Sequence, residues 1–568
     1  MEILQAGPLS VGYENGFLRR LRYGQTEILR MIYFALRDRN WNTLEMIVED
    51  ERISSNVDNF DVSYTCVNFH EGVPVMRWKA SIHGAADATI TFEIHGIMLE
   101  NFHKNRAGFC ILHGLNVAGL DCEITHPDHT TTRRIFPVMV DPENPFRNIQ
   151  SMRWTMGGAQ YSLDFEGDLF ETEDQRNWGD ASYKTFCTPL DKPFPVELKA
   201  GEEVFQRVTF HPTQTLRHTP VADRTVVLRA GDVMTIPAMG IGGSTQAKQI
   251  SEQAVVLLRA LRLGHYRTDL YPGNDKWVTD FSKAYETAYE LGLPLEVALH
   301  LTDRYPEEME AFSVLCQQNK VRLKKVLLLQ DNGMVTAQRL LDEMSVLKGS
   351  FPRVLFGAGT NYNFNEINKN RFRPAEADYI CFALDPQEHA SDDLTILENT
   401  ETLEHLVRST KAIYGDAMPV HLSPITLRKR FNPYATNSKD LFIEEGKKAD
   451  PRQKDTIAAL FTFGCICRLT RGGAAAVTFF QTVGEQGIIS ALGEPYPVYD
   501  VLKKLAAYQG RKATILESSD PLAIEGMLID QKMLAVANYS HDEKLARFQA
   551  NEVVLRPQEI KMVQLNSA

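Results

Sequence analysis

Eight short apolar segments recur between residues 237 and 482, and this recurrence restricts the possible folds more than any other feature of the sequence. The segments are PAMGIGG (237–243), HYRTDLY (265–271), PLEVALHL (294–301), KKVLLLQ (324–330), RVLFGAG (353–359), DYICFALD (378–385), PVHLSPITL (419–427) and AAAVTFFQT (474–482). The first six begin 25 to 30 residues apart, close to the roughly 30 residues per strand–helix unit of an eight-stranded parallel barrel. Eight units close such a barrel, so we predict a (β/α)8 TIM barrel over residues 229–510.

Amphipathic helical patterns lie between these segments. TQAKQISEQAVVLLRALRL begins with Thr245 and follows Ser244, and either residue is placed to cap a helix. PEEMEAFSVLCQQNK carries Pro306 near its first turn. The last connection is longer because it contains RKRFNPYATNSKDLFIEEGKKADPRQKD (428–455), a polar, turn-rich insertion that we interpret as a lid. YPVYDVLKKLAAYQG is the predicted eighth barrel helix.

On both sides of the barrel the pattern changes to short alternating strands. Residues 1–228 contain segments such as MRWKASIHG, ATITFEIHGIML and RTVVLRAGD, with apolar residues at every second position and Gly, Asn or Asp in the gaps. Residues 511–568 return to this pattern. The predicted fold class is therefore multidomain α/β, with an N-terminal β-sandwich, a central (β/α)8 TIM barrel and a small C-terminal β-sandwich domain.

Charge and hydropathy exclude two classes of partner. The formal net charge is -12 and no Lys/Arg-rich stripe occurs, so we expect no nucleic-acid binding. No run of 18 apolar residues occurs, and the N-terminus lacks the pattern of a signal peptide, so we expect a soluble, cytoplasmic protein without membrane contact. Eight scattered cysteines favour buried free thiols, and we interpret Cys465 and Cys467 as core residues.

The active sites of TIM barrels lie at the carboxyl ends of the strands, so polar residues at the predicted strand ends are candidate site residues. These residues are Arg267, Asp269, Tyr271, His300, Gln330, Asp331, Asn361, Asn363, Gln387, His389, Arg428, Gln481 and Glu485. Five asparagines within GTNYNFNEINKNR, after strand five, favour a site that forms many neutral hydrogen bonds. A pocket lined in this way suits a small, hydroxyl-rich molecule.

Each of these residues also has a purely structural interpretation. Arg267 and Asp269 could hold a loop through an ion pair, and His300, which follows the apolar run PLEVAL, could be a core imidazole. His389 lies in an acidic loop, where a surface role is equally consistent with its neighbours. The asparagines after strand five could serve turn conformations instead of recognition.

Two common barrel chemistries lack their usual residues in this sequence. Glycosidase barrels place two carboxylates at opposed strand ends, commonly those of strands four and seven. Here strand four ends in Gln330 and Asp331, strand seven contains Leu422, Ser423 and Pro424, and no Glu occupies either end. No HxH motif or His/Asp cluster marks the strands, so we expect neither a metal nor a cofactor.

Before the barrel, FETEDQRNWGDASYKTF (170–186) places many charges among aromatic residues. The aromatics are typical of a packed interface, whereas the charges are typical of a site or of mutual ion pairs. The polar residues of this segment are Glu173, Asp174, Arg176, Asn177, Asp180 and Lys184. We expect them either to pair with one another or to reach the pocket.

Several strings together resemble the D-apionate lactonases, bacterial enzymes that open a branched-chain sugar lactone. The strings are RDRNW, NRAGFCILH, EDQRNWGDASYKTF, GTNYNFNEINKNR, DPQEHASDD, TLRKRFNP and TFFQTVGEQG. The resemblance covers nearly the whole chain and implies a β domain, a TIM barrel and a small C-terminal domain. It also implies a hydrolase that converts D-apionolactone, or a close analogue, to the open acid.

Lactone opening needs a base for water, donors for the oxyanion and an acid for the leaving alkoxide. Under this resemblance we expect Asp269, Glu173 or Glu485 to act as base, and His300 and Arg267 to join the catalytic set. The expected substrate-binding residues are Arg176, Asn177, Lys184, Asn361, Asn363, Gln387, His389, Arg428 and Gln481.

Gln481 departs from the expected family pattern, in which relatives carry Glu at this position. If that Glu were the base, Glu485 could replace it here, or the position could serve only to bind a hydroxyl. Two alternatives stay open on sequence grounds: a glycoside hydrolase acting on apiose-containing or other plant glycans, and a sugar-binding barrel without turnover.

Overall fold

The computed structural model describes residues 1–217, 225–247, 249–374, 376–434 and 442–565, which divide into two compact units. The first unit comprises the described residues up to 217, except Asn177–Asp180, together with Tyr434. The second comprises Asn177–Asp180 and the other described residues from 225 onward. No helix in the described part of the chain is long and apolar enough to cross a membrane.

The first unit consists of antiparallel strands, as the alternating pattern predicts. The strands are β1 (Glu2–Ala6), β2 (Leu9–Glu14), β3 (Phe17–Tyr23), β4 (Thr26–Asp38), β5 (Glu45–Ser55), β6 (Phe60–His70), β7 (Val73–Gly84), β8 (Ile90–Met98), β9 (Phe102–His113), β10 (Asp121–Thr125), β11 (Thr131–Ile135), β12 (Phe146–Ile149), β13 (Ser151–Met156), β14 (Ala159–Glu166), β15 (Phe170–Asp174), β16 (Tyr183–Phe186), β17 (Val196–Leu198) and β18 (Glu203–Pro212). One sheet has the order β1-β2-β3-β4-β9-β16-β15-β12, with β17 beside β9. The other has the order β11-β10-β13-β14-β18-β8-β7-β6-β5.

Aromatic side chains fill the space between these two sheets. Phe34 and Trp78, from opposite sheets, have ring centroids 5.0 Å apart, and Phe92 and Phe109 are likewise paired at 4.9 Å. Along β7 the side chains of the inner face are buried and those of the outer face are exposed, the pattern of a half-buried strand. The N-terminal β-sandwich is therefore confirmed.

The second unit contains the strands β19 (Thr225–Thr235), β20 (Ala238–Gly242), β21 (His265–Leu270), β22 (Leu295–Leu301), β23 (Leu323–Gln330), β24 (Leu355–Gly359), β25 (Tyr379–Leu384), β26 (Val420–Ile425), β27 (Ala476–Val483), β28 (Gly487–Ile489), β29 (Lys512–Ser518), β30 (Ile524–Ile529), β31 (Met533–Asn538), β32 (Lys544–Phe548), β33 (Asn551–Leu555) and β34 (Ile560–Gln564). Its helices are α1 (Glu252–Ala260), α2 (Trp277–Leu291), α3 (Tyr305–Gln318), α4 (Gln338–Asp342), α5 (Met344–Ser350), α6 (Phe364–Lys369), α7 (Asp393–Glu398), α8 (Thr402–Tyr414), α9 (Glu445–Lys448), α10 (Thr456–Gly472) and α11 (Pro497–Leu505).

Strands β20 to β27 form a closed parallel barrel. Each strand pairs with the next, and β20 pairs with β27 to complete the ring. All eight lie within the predicted segments, apart from one extra residue at the start of β23 and one at the end of β27. The predicted TIM barrel is confirmed. Each local apolar run becomes one strand, so the number of runs sets the number of strands in the barrel.

Two details of the helices test the sequence analysis. Pro306 lies in the first turn of α3, as predicted. Helix α1 begins later than expected, because Ser251 caps it by accepting a hydrogen bond from the backbone N–H of Ala254. Ser244 instead donates to the carbonyl of Val483, so its hydroxyl ties the end of the first barrel strand to the end of the eighth.

The C-terminal segment forms a sheet with the order β33-β32-β19-β29-β30-β31-β34. Strand β19 corrects one expectation, since RTVVLRAGD was expected in the N-terminal sandwich. It pairs antiparallel with β29 and parallel with β32. Its alternating pattern correctly predicts a strand but does not show which sheet that strand joins.

Candidate active site at the carboxyl end of the barrel

A cavity of about 710 Å³ lies at the carboxyl ends of the barrel strands. The residues with polar side chains that line it are Ser244, Thr245, Tyr266, Arg267, Thr268, Asp269, Tyr271, Asn274, Asp280, Lys283, Asp331, Asn332, Thr426, Arg430, Lys448, Gln481 and Gln486. Phe431, Phe442 and Phe480 add apolar surface. A smaller adjoining pocket is lined in part by His300, Asn361 and Tyr362.

Four residues predicted from strand ends meet in one hydrogen-bonded cluster beside this cavity. Arg267 donates to both carboxylate oxygens of Asp269, at 3.0 and 3.3 Å. The Nε2 atom of His300 lies 3.1 Å from Asp269 Oδ1. The Asn361 amide donates to Asp269 Oδ1 at 2.8 Å and accepts from Arg267 at 2.9 Å. Strands two, three and five therefore bring together residues far apart in the sequence.

The end of strand five explains how Asn361 reaches the cluster. Gly359 ends β24 with φ 146°, and a side chain there would collide with the carbonyl of Cys381. That carbonyl accepts the N–H of Thr360 at 2.9 Å. The glycine thus allows the chain to turn tightly over β25 and to direct Asn361 towards Asp269.

A second arginine, Arg430, completes the cluster from the segment after β26. Its Nη1 atom lies 3.2 Å from Asp269 Oδ2, and its Nη2 donates to Asn361 Oδ1 at 2.5 Å and to the Asn361 carbonyl at 3.3 Å. The strand-end rule did not select this residue. TLRKRFNP contains three adjacent cations, and the rule chose Arg428, the cation nearest the strand.

The protonation state of Asp269 follows from these partners. Burial by itself would raise the pKa of this carboxyl, but the guanidinium groups of Arg267 and Arg430 outweigh burial and hold the pKa well below its ordinary value. Asp269 is therefore a carboxylate at neutral pH. Such a strongly stabilised carboxylate is a weak proton acceptor, which suits orientation better than proton abstraction.

His300 is held from two directions. Its ring stacks on Tyr271 with centroids 4.1 Å apart and an interplanar angle of 16°. Its Nε2 lies 3.1 Å from Asp269 Oδ1 and 3.3 Å from the amide nitrogen of Asn361. Because the Asp269 carboxylate can only accept, the shorter contact favours the tautomer with the proton on Nε2. Within the described residues Nδ1 has no hydrogen-bond partner, so this nitrogen can accept a proton in the pocket.

Gln481 belongs to a separate polar cluster on the side of strands one and eight. Its amide oxygen accepts the N–H of Thr245 at 2.9 Å, and its amide nitrogen lies 3.1 Å from the Thr245 hydroxyl. Gln486 donates to Glu445 at 2.7 Å, and Lys448 pairs with Glu445 at 3.0 Å. The preceding Phe480 has φ 45°, rare outside glycine, where the register of β27 shifts against β20.

Of the other predicted residues of the second unit, Tyr271 and Asp331 line the cavity and Gln330 lines the adjoining pocket, and the rest lie outside both linings. Glu485 is exposed. Gln387 and Arg428 both contact Asp450, at 2.9 and 3.0 Å, and Asn363 donates to Glu388 at 2.8 Å. These contacts hold the loops beyond strands five to seven together. Residues 435–441 of the predicted lid lie outside the described residues, whereas its flanks contribute Phe431, Phe442 and Lys448 to the cavity.

The charged segment 170–186 is divided between the two units. In the first unit Arg176 pairs with Asp174 at 2.6 Å, and Lys184 pairs with Glu173, with all four side chains buried. In the second unit Asp180 accepts from His389 Nδ1 at 2.6 Å, and Asn368 donates to Asn177 at 2.9 Å.

Beneath the site, the barrel interior holds a second buried polar layer. Lys325 pairs with Glu296 at 3.1 Å, and the imidazoles of His265 and His421 lie close to the same two groups. Burial lowers the pKa of His265 to about 3 and holds that of His421 well below its ordinary value, so both rings are neutral at pH 7. Glu296 lies opposite Arg267 in the pairing of β21 with β22.

The pKa of Asp385, which directly follows β25, is shifted in a way that makes the stability of the fold depend on pH. Burial, and then the charge of Glu388, raise its pKa well above the ordinary value, against the opposing effects of the Gln387 N–H and Lys429. The folded protein therefore keeps a proton on Asp385 at a pH where the unfolded chain has lost it. Stability is unaffected below the unfolded pKa and falls as the pH rises from about 3.9 towards the folded pKa.

We therefore expect Asp385→Asn, an isostere of the protonated form, to stabilise the protein at neutral pH. The gain should be close to zero near pH 4 and should grow by about 1.4 kcal/mol per pH unit until the folded pKa is reached. Thermal unfolding of both proteins between pH 4 and pH 8 measures it. Parallel curves over this range would show that Asp385 is ionised in the folded state.

Within the described residues, no group of three or more His, Cys, Asp and Glu side chains is arranged to hold a metal ion. The eight cysteines are free and buried. Burial raises the pKa of Cys465 and Cys467 well above its ordinary value, in keeping with their predicted place in a packed helix.

Comparisons with known proteins agree with the fold and identify the family. The sequence profile of the N-terminal domain of D-apionate lactonase matches residues 1–215, and that of its TIM barrel domain matches residues 239–510. A D-apionate lactonase from Brucella anthropi is 27% identical, over 98% of this chain and 95% of that protein.

Among solved structures, a GH30 endoxylanase from Clostridium papyrosolvens C71 is 13% identical, with a TM-score of 0.42 over 60% of this chain and 100% of that chain. A beta-arabinopyranosidase is 10% identical, with a TM-score of 0.33 over 98% of this chain and 99% of that chain. The two profiles of one family together cover most of the sequence, and their division coincides with the sandwich and the barrel. The chain belongs to the D-apionate lactonase family.

Proposed function

We propose that this protein is a carboxylic ester hydrolase that opens a sugar lactone, D-apionolactone or a close analogue, to the free sugar acid. The observation that carries the proposal is the pairing of His300 with Asp269 beside two arginines at the barrel mouth. The family relationship supports the same chemistry.

In the proposed reaction His300 is the general base. Asp269 holds the Nε2–H, and Nδ1 takes a proton from a water molecule whose oxygen attacks the lactone carbonyl carbon. The carbonyl electrons move to oxygen, beside the positive charges of Arg267 and Arg430. When the intermediate collapses, the ring C–O bond breaks, and the ring oxygen takes the proton from His300. The products are a hydroxyl group and a carboxylic acid, which ionises.

Asp269 takes an orienting role in this scheme, although the sequence made it one of three candidate bases with Glu173 and Glu485. Its low pKa makes it a poor proton acceptor, while its charge fixes the imidazole and stabilises the imidazolium that forms. Asn361 also has a positioning role, because its amide is already engaged with Asp269 and both arginines.

Other side chains are available to bind the sugar hydroxyls. Within the described residues, the carboxylate of Asp331, the ammonium of Lys283 and the hydroxyl of Tyr271 line the cavity without a hydrogen-bond or ion-pair partner. A carboxylate accepts from hydroxyl groups, and an ammonium and a phenol donate to them. Together these groups suit a polyhydroxylated ring.

The proposal is tested by adding purified protein to D-apionolactone and following acid release in a pH-stat, against spontaneous hydrolysis. We expect one proton per lactone opened at neutral pH. A rate no greater than the spontaneous one would exclude this substrate, and a panel of five- and six-membered aldonolactones would then define the lactone class. Nitrophenol release from nitrophenyl glycosides, followed by absorbance, tests the glycosidase alternative, and lactone binding without turnover would favour the sugar-binding alternative.

A further inference from the structure

The three adjacent cations after β26 have different acidic partners. Arg428 pairs with Asp450 at 3.0 Å, Lys429 pairs with Glu388 at 3.8 Å, and Arg430 pairs with Asp269 at 3.2 Å. Asp269 also receives both end nitrogens of Arg267. Asp450 is shared with a second arginine as well, Arg452, but Arg452 has another carboxylate partner, Asp393, at 3.0 Å.

Charge counting at this cluster leaves one positive charge in excess. The contacts of Arg267 with both oxygens of Asp269 form a neutral pair, and the amide of Asn361 adds no charge. Arg430 therefore brings a surplus cation, with its side chain only 15% exposed. A mostly buried cation in excess loses hydration that a second carboxylate partner would replace.

The guanidinium of Arg430 also keeps hydrogen-bonding capacity. It has five N–H groups, of which the structure engages one on Nη1 and two on Nη2. Within the described residues the Nε–H has no protein acceptor. Arg430 lines the cavity, so its remaining donors can face a bound molecule.

The surplus positive charge of Arg430 favours the negatively charged species of the proposed reaction over the neutral lactone. A lactone is neutral, whereas the tetrahedral intermediate and the opened acid carry a negative charge on the oxygens of the former carbonyl group. A guanidinium binds such oxygens through charge-assisted hydrogen bonds, which are about twice as strong as neutral ones. Arg430 therefore gains most contact after water has attacked.

We propose that Arg430 binds the carboxylate of the open sugar acid, so that the cavity is an aldonate-binding site with higher affinity for the acid than for an uncharged polyol. The identity of the ligand rests on the proposed function, but the binding does not require turnover.

The test is calorimetric titration of the full-length protein with D-apionate, and with xylitol as an uncharged polyol, at low salt. We expect the wild type to bind D-apionate more tightly than xylitol. Arg430→Gln should weaken D-apionate binding about 10- to 100-fold, the effect of losing one charge-assisted hydrogen bond. Its xylitol affinity should stay unchanged, and Arg430→Lys should recover part of the acid affinity.

Lys429→Gln is the matched control, because it removes the same charge from the adjacent residue, which pairs with Glu388 outside the cavity lining. It should change D-apionate affinity less than threefold. Equal D-apionate affinities of wild type and Arg430→Gln, equal losses for acid and polyol, or no acid binding by the wild type would overturn the proposal. Arg430→Lys serves the same comparison if the glutamine variant does not fold.

The two proposals fail in different ways. Arg430-dependent D-apionate binding without lactone opening would retain the aldonate site and exclude the proposed reaction. Lactone opening with acid binding that is independent of Arg430 would retain the reaction and exclude the site.

Discussion

Replacing His300 by glutamine is expected to lower kcat for lactone opening by about 10²- to 10⁴-fold, the usual contribution of a positioned general base. Glutamine keeps a polar group near Asp269 but has no nitrogen able to take a proton from water at neutral pH. KM should change far less than kcat, because the cavity walls that bind the sugar stay in place. Initial rates over a range of lactone concentrations measure both constants.

Two further measurements distinguish chemistry from structure at His300. His405→Gln removes a histidine from α8, outside the cavity lining, and should leave kcat within twofold. His300→Ala should regain activity when imidazole is added, because the small base can occupy the space left by the ring. Wild-type kcat in His300→Gln, or the absence of imidazole rescue together with a large fall in melting temperature, would argue for a core role.

The largest loss of stability is expected from Asp174→Asn in the first unit. Arg176 and Asp174 both have fully buried side chains, and the arginine donates to both carboxylate oxygens, at 2.8 and 2.6 Å. The amide leaves the guanidinium charge uncompensated in the interior, which costs about 3 to 5 kcal/mol. The carbonyls of Pro137 and Val138 still accept from Arg176 but cannot neutralise it.

Urea unfolding followed by tryptophan fluorescence measures this loss, since Trp78 and Trp154 lie in the core of the same unit. Asp164→Asn is the matched control, because the pair of Asp164 with His211 is partly exposed, with an Nδ1–Oδ2 distance of 3.4 Å. Exposed pairs contribute about 0 to 1 kcal/mol. If the two variants unfold at the same urea concentration, the buried pair does not contribute as its burial implies.

The candidate site could be predicted in part, and the reason is geometric. Arg267, Asp269, His300 and Asn361 were recognised because parallel strands bring their carboxyl ends to one edge of the barrel. Arg430 and Lys283 were missed because a loop and a helix deliver them, and neither position follows from strand spacing. The role assigned to Asp269 also changed from base to orienting group, since nothing in the sequence shows that two arginines share this carboxylate.

In the charged segment 170–186, the sequence likewise predicts only some of the contacts. Its composition predicts that the charges pair with one another or reach the pocket, and the pairs Arg176–Asp174 and Lys184–Glu173 are present. The sequence does not show that Asp180 contacts His389 instead of a residue nearby in the chain. Contact between residues more than 200 positions apart depends on the packing of whole elements.

The sequence by itself determined the classes of element in this protein: the alternating strands of the sandwich as a type, the eight barrel strands, and amphipathic helices between them. These follow from hydrophobic period and turn residues, which act over a few neighbouring positions. Only the tertiary structure decided that β19 joins the C-terminal sheet, that Ser251 rather than Ser244 caps α1, and that Arg430 reaches Asp269. Such choices depend on burial and charge pairing between distant segments, which no local pattern records.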